Sequence, residues 1–181
     1  MTLTAQAFWF LRHGETDWNA RGWSQGNVDI PLNPVGIAQA HAAAAQMQGR
    51  GIRAVVSSPL SRALDTARAV ADPLGLPVET DDGLREVSFG VQEGQPMADW
   101  FDDWVEGRFT PDGAETFEAL RGRAVSAINR ALERPAPVLV VAHGALFRAL
   151  RAAMGLPANI RTPNAVPMLC EPGTPWTLAP I

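Results

Sequence analysis

The chain has 181 residues, 46% of them hydrophobic and 19% charged, with a formal net charge of −4. This is globular composition at a length suited to one domain over residues 1–181 with a sizeable core. The acidic balance excludes a general nucleic-acid binder, whose footprint is basic. The lone cysteine, Cys170, excludes an intramolecular disulfide and points to a reducing compartment; with no ligand-spaced partner it reads as a small buried apolar residue.

The opening MTLTAQAFWFLRHG has no basic leader, and its apolar run is too short for a signal peptide or a spanning helix. No stretch approaches about 18 uninterrupted apolar residues, so a soluble, cytoplasmic protein without a membrane partner is expected. Residues 7–11 (AFWFL) are a strand candidate, followed by a Gly/Asn/Asp/Pro-rich loop from Gly14 to Pro34. An alanine-dominated helix is expected over 35–48, with Asn33 as N-cap and Pro34 at its first position. Residues 53–57 read as a second buried strand. Ser58-Pro59 offers a cap-plus-proline start for a helix near 59–71 that ends by Gly75.

Residues 77–80 suit a short edge strand, and 96–107 a short helix between loops. Apolar residues Phe117, Leu120, Ala124, Ala127, Ile128 and Ala131 recur with helical period within 114–134. PVLVVA at 137–142 is the most strand-like run; a helix over 144–154 and weak strands at 164–170 and 175–179 complete the order. Strands alternating with helices predict an α/β fold, a three-layer α/β/α sandwich around a mainly parallel sheet.

The two best strands end alike, FLRHG at 10–14 and VVAHG at 140–144. Each delivers a histidine and a glycine to the carboxyl end of a strand, the edge where open α/β sheets bind ligands. One such pair has a bland explanation, a histidine satisfied by backbone and then a turn; two pairs argue against it. The third histidine, His41, lies on the alanine helix as a surface or packing residue. Arg62 falls in the first turn of the helix after the second strand, where free amides and the dipole already favour an anion. A cation there is a solvated surface arginine or part of an anion clamp, and Arg12 with two histidines at neighbouring strand ends favours the clamp. Two histidines and a glutamate raise the possibility of zinc, yet no HxxH, HxxxH or HxxEH spacing exists and two arginines oppose a cation. No metal and no cofactor is therefore expected.

Together LRHGETDWN (11–19), QGNVDIPLNPVGIAQA (25–40), SSPLSRALDTA (57–67), LREVSFGVQEG (84–94), DGAET (112–116) and VVAHG (140–144) resemble the histidine phosphatase superfamily, in its phosphoglycerate-mutase-like branch. The resemblance runs in order over roughly residues 8–145. It implies that His13 attacks phosphorus and becomes a phosphohistidine, a step that divides one hard transfer into two. It further implies that Arg12, Arg62 and His143 form the phosphate pocket, with His143 as a donor. Arg12 then serves twice, disfavouring the imidazolium and neutralising phosphoryl oxygens.

Glu86, in LREVSFGVQEG, matches the family's general acid/base, a task that asks for a raised pKa. On composition alone Glu93 and Glu15 are rivals. Asn19, Gln25 and Gly26 match positions flanking the phosphate, although Asn19 also suits a plain turn. Asn164 is a further candidate for the pocket wall. Classical mutases of the family carry a long insertion before the second histidine and a tyrosine beside the glutamate; this chain has neither and contains no tyrosine. The expected activity is therefore hydrolysis of a small-molecule phosphate ester. The alternatives are a cofactor-dependent phosphoglycerate mutase and a non-catalytic phospho-ligand binder. Trp18, Trp23, Phe89, Trp100 and Trp104 lie in or near loops around the expected site, where they stack on a flat substrate group or simply pack a lid.

Overall fold

A computed structural model of the chain describes residues 2–181. Among these, β1 (Phe8–Arg12), β2 (Ala54–Ser57), β3 (Val78–Thr80), β4 (Val138–Ala142), β5 (Met168–Glu171) and β6 (Thr177–Pro180) form one sheet in the order β3-β2-β4-β1-β5-β6. The four strands from β3 to β1 pair in parallel, and β5 and β6 add an antiparallel edge. β2 and β4 are buried along their whole length, which is why both read as unbroken apolar runs rather than alternating ones.

The pleat sends successive side chains to opposite faces. Trp9, Leu11, Val55, Leu139 and Val141 pack on one face against α2 (Pro34–Met47) and α3 (Ser61–Leu74). Phe8, Phe10, Val56, Val138 and Val140 pack on the other, against α4 (Trp100–Val105), α5 (Phe117–Ala131) and α6 (Gly144–Ala153). The result is the three-layer α/β/α arrangement around a mainly parallel sheet. Cys170 is fully buried in the second of these cores, and burial pushes its thiol pKa up.

Several boundaries differ from the sequence reading, each for a local reason. The predicted loop after Gly14 contains the short helix α1 (Asp17–Arg21). It is nucleated by a capping box: Thr16 Oγ1 accepts from the Asn19 amide while Asn19 Oδ1 accepts from the Thr16 amide. α3 starts at Ser61, not at Ser58-Pro59, because Ser58 continues β2 and donates its amide to Val141 O at 3.0 Å. The cap instead comes from a distant carboxylate, Asp29 Oδ1, which accepts from both Ser61 N and Ser61 Oγ at 2.8 Å. α3 also runs on to Leu74 before Gly75 closes it. The start of α2 is as expected, with Asn33 Oδ1 accepting from Gly36 N at 2.8 Å and Pro34 first in the helix. The helix in 96–107 is confined to α4, and the two late strands begin later than predicted.

Candidate active site

The site is assembled by strand register. β1 and β4 are neighbours with Arg12 opposite Ala142, and His13 N donates to Ala142 O at 3.0 Å. His13 and His143, each the residue after its strand, therefore emerge side by side with ring centres 5.2 Å apart. On the far side of β4, Ser57 stands opposite Val141, which sets Ser58 beside His143. Gly14 then turns the chain away against the first turn of α2. A Cβ on Gly14 would lie 2.4 Å from Gly36 O, and one on Gly36 would lie 2.0 Å from Glu15 O. Two glycines let loop and helix backbones touch.

A cavity of about 430 Å³ opens above these strand ends, lined by Arg12, His13, Asn19, Gln25, Gly26, Arg62 and Glu86 among the predicted residues. His13 is 2% exposed. Its Nδ1 lies 2.7 Å from Gly14 O, and since a carbonyl only accepts, the ring hydrogen sits on Nδ1 and the lone pair on Nε2. Burial holds the His13 pKa well below the usual histidine value, with the charges of Arg62 and Arg12 acting in the same direction and the Gly14 carbonyl opposing. The ring is thus neutral and nucleophilic.

Arg62 is fully buried at the start of α3, its Nη1 and Nη2 donating to Val28 O (2.9 Å) and Gly26 O (2.8 Å). Arg12 Nη1 donates to Thr162 O at 2.6 Å. Burial pushes both guanidinium groups down to about 10, with Glu86 opposing. His143 is fully buried, and burial with the neighbouring charge of Arg62 holds its pKa well below the usual value.

Five buried side-chain polar atoms of the described residues have no hydrogen-bond partner, and three of them are Arg12 Nε, Arg62 Nε and His143 Nδ1. Buried polar atoms are rarely left unpaired, and these three belong to residues that surround His13. An anion with several acceptor oxygens is the group that satisfies them together.

Glu86 is the acidic member of the site. Its carboxylate accepts from the amides of Ala145 (2.9 Å), Leu146 (2.9 Å) and Val87 (3.1 Å), and so sits on the N-terminus of α6. Its rivals lie elsewhere: Glu93 binds the amides of Asn27 and Phe89, Glu15 accepts from Asn33, and neither lines the cavity. Asn19 faces the cavity with its oxygen taken by the Thr16 amide, which leaves its amide nitrogen as the free end. Gln25 Oε1 accepts from Thr16 Oγ1 at 2.7 Å. At Gly26 φ is +52° and a Cβ would strike the Glu93 carboxylate, so glycine is required on both counts. Asn164 is not in the cavity wall but buttresses it, donating to His13 O at 2.9 Å. His41 is exposed and remote.

The aromatic residues divide. Trp23 and Phe89 reach the cavity, Trp18 packs edge-on against Trp23, and Trp104 is core, wedged among Phe89, Phe101 and Phe117. Trp100 packs edge-on against Phe89 and Phe101.

Sequence reasoning missed the cavity mouth. Arg148 on α6 lies with its guanidinium 4.5 Å above the Phe101 ring, and the exposed Arg161 stands nearby. Neither pairs with a carboxylate of the described residues within salt-bridge distance, whereas Asp102 at the same mouth accepts from Asn159 at 2.7 Å. The available signal for Arg148 was its place on the helix that begins directly after His143; Arg161 sits in an irregular loop that carried none. Among the described residues no cluster of histidine, cysteine, aspartate or glutamate is placed to hold a metal ion, and no helix is long and apolar enough to cross a membrane.

The model of the histidine phosphatase superfamily (branch 1) matches residues 8–167. The chain belongs to that superfamily. The chain is 40% identical over 164 residues to the probable phosphoglycerate mutase GpmB of Yersinia pestis (strain Pestoides F), a match covering 83% of this chain and 76% of that protein. Among solved structures it resembles a mycobacterial glucosyl-3-phosphoglycerate phosphatase in complex with VO3, at 31% identity and a TM-score of 0.85 over 97% of this chain and 98% of that one. It also resembles a putative alpha-ribazole-5'-P phosphatase from Escherichia coli K-12, at 28% identity and a TM-score of 0.82 over 98% and 96% of the two chains. These two structural neighbours are named as phosphatases and the sequence relative as a mutase.

Proposed function

We propose that the protein is a phosphomonoesterase that hydrolyses a small phosphorylated metabolite through a phosphohistidine on His13. The observation that carries this reading is the cluster of unpartnered buried polar atoms, Arg12 Nε, Arg62 Nε and His143 Nδ1, around a neutral histidine with its lone pair on Nε2. In the first half-reaction Nε2 attacks phosphorus and the ester P–O bond breaks. Glu86, entering as the carboxylic acid, gives its proton to the departing oxygen, while the arginines and His143 take the phosphoryl oxygens. In the second, Glu86 accepts a proton from water, the oxygen of that water forms the new P–O bond, and the P–N bond breaks to release phosphate. The two α6 amides that Glu86 now occupies, those of Ala145 and Leu146, favour an anion at the start of that helix. In the reaction they pass to the phosphoryl group and release the carboxyl to act.

Arg148 and Arg161 at the mouth narrow the substrate class to phosphate esters with a second anionic group, such as a carboxylate. The relative named glucosyl-3-phosphoglycerate phosphatase is consistent with that class. A mutase is the second reading, favoured by the name of the Yersinia relative.

One panel tests these readings together. The wild type hydrolyses an aryl phosphate, and His13→Ala reduces turnover to background; equal rates for the two sink the enzyme reading. Glu86→Gln is expected to slow esters with poor leaving groups by about 10²-fold or more and to spare nitrophenyl phosphate. Removing both mouth arginines lowers the kcat/KM ratio of 3-phosphoglycerate over glycerol 3-phosphate; an unchanged ratio removes the carboxylate assignment. Efficient conversion of 3-phosphoglycerate to 2-phosphoglycerate with a bisphosphoglycerate primer replaces hydrolysis by the mutase reading.

A further inference from the structure

Ser58 has no role in the chemistry described so far, yet it is fully buried and its Oγ lies 2.7 Å from His143 Nε2. Its other contact fixes the direction of that bond. Ser58 Oγ already accepts from the Leu60 amide at 3.3 Å, and an amide can only donate. If His143 Nε2 carried the ring hydrogen and donated it to Oγ, the hydroxyl hydrogen of the fully buried Ser58 would have no acceptor among the described residues. If the hydroxyl donates to Nε2, every hydrogen on Ser58 is used and the arrangement closes. The imidazole hydrogen then resides on Nδ1, the ring nitrogen with no partner in the protein.

We infer that Ser58 is a positioning residue: it holds neutral His143 in the tautomer whose Nδ1–H donates to the transferring phosphoryl group. The inference rests on the phosphatase reading for its purpose, but the tautomer itself does not. It explains how a buried histidine among cations serves as a donor without being protonated. The charged and titratable groups around His143 are His13 beside it, Arg12 at the end of β1, Arg62 on α3 and Arg123 on α5. None of the four favours an imidazolium. A neutral ring donates from one nitrogen only, so something must choose which one, and Ser58 makes that choice. The choice depends on the sheet, because the Ser58 amide is anchored on Val141 O, one residue before the end of the strand that delivers His143.

The experiment is ¹⁵N NMR of histidine-labelled full-length protein, with activity against pH for Ser58→Ala and Ser58→Thr. In the wild type the His143 signals report hydrogen on Nδ1 and a hydrogen-bonded, unprotonated Nε2. Ser58→Thr keeps the hydroxyl and the pattern. Ser58→Ala mixes the tautomers and lowers kcat by about 10- to 100-fold, the scale on which orienting partners of histidines act. A wild-type spectrum with hydrogen on Nε2 overturns the inference. So does a Ser58→Ala variant whose tautomer is unchanged. Should Ser58→Ala fail to fold, the wild-type and Ser58→Thr spectra still decide. Should the wild type hydrolyse nothing, the function fails while the tautomer is still read from the spectrum.

Discussion

His13 and His143 are two imidazoles kept neutral inside a cluster of arginines, and that has a thermodynamic consequence. Both folded pKa values lie well below that of an unfolded histidine, about 6.5. Below that value the unfolded chain binds protons that the folded chain refuses, so stability falls as pH falls, and above it these groups add no pH dependence. Chemical denaturation at stepped pH should show a loss of about 1.4 kcal/mol per pH unit for each histidine below pH ~6.5. His143→Gln should roughly halve that slope; a stability flat between pH 7 and 5 contradicts it. At this scale the convergence of the proposed site's residues was legible, because Arg12-His13 and His143-Gly144 stand at the ends of apolar runs. Ser58 was not legible as a site residue. It reads as a helix cap until the pairing of β2 with β4 puts it against His143.

Among the elements, the contact between the loop after His13 and the first turn of α2 is the least forgiving. Gly36→Ala places a methyl group 2.0 Å from Glu15 O, a backbone atom that cannot swing aside. It is expected to cost about 2 kcal/mol and, by displacing Gly14, to lower kcat as well. Gly122→Ala on the exposed side of α5 meets nothing within 4 Å and should stabilise by about 0.5–1 kcal/mol with activity intact. Urea unfolding of the two variants beside steady-state kinetics checks both. Arg123 ties α5 to the segment carrying Glu86 through Gly83 O (2.9 Å) and Arg85 O (2.8 Å), and it also pairs with the Glu115 carboxylate. The elements legible in the sequence were those with long, self-consistent patterns: β1, β4, α2 with its Asn33-Pro34 start, and α5. α1 was not, since five residues stabilised by a capping box look like loop composition. The start of α3 was misplaced because its cap, Asp29, is supplied from 32 residues away.

Across the whole molecule, a chain with a net charge of −4 presents Arg12, Arg62, Arg148 and Arg161 around one cavity, against the carboxylates of Glu86, Asp99 and Asp102. On the proposed reading, anions are drawn to that opening by the local excess of arginine rather than by the overall charge. Vanadate or inorganic phosphate should therefore raise the unfolding free energy, by about 2.7 kcal/mol at one hundred times its Kd. We further propose that residues 2–181 unfold as one unit, since both cores share a single sheet. Calorimetry with and without phosphate should give one transition that moves upward with ligand; two transitions, only one of them moving, count against a single unit.

Ser58, His143 and His13 are each the first residue past one of three adjacent parallel strands. Their relative heights are counted out by the hydrogen-bond ladder in steps of one residue, about 3.3 Å. Geometry of this kind does not drift: substitutions along β1, β2 or β4 leave the count unchanged, while a single inserted or deleted residue moves one member a full step and turns it to the opposite face. The strands can therefore vary in spelling but not in length.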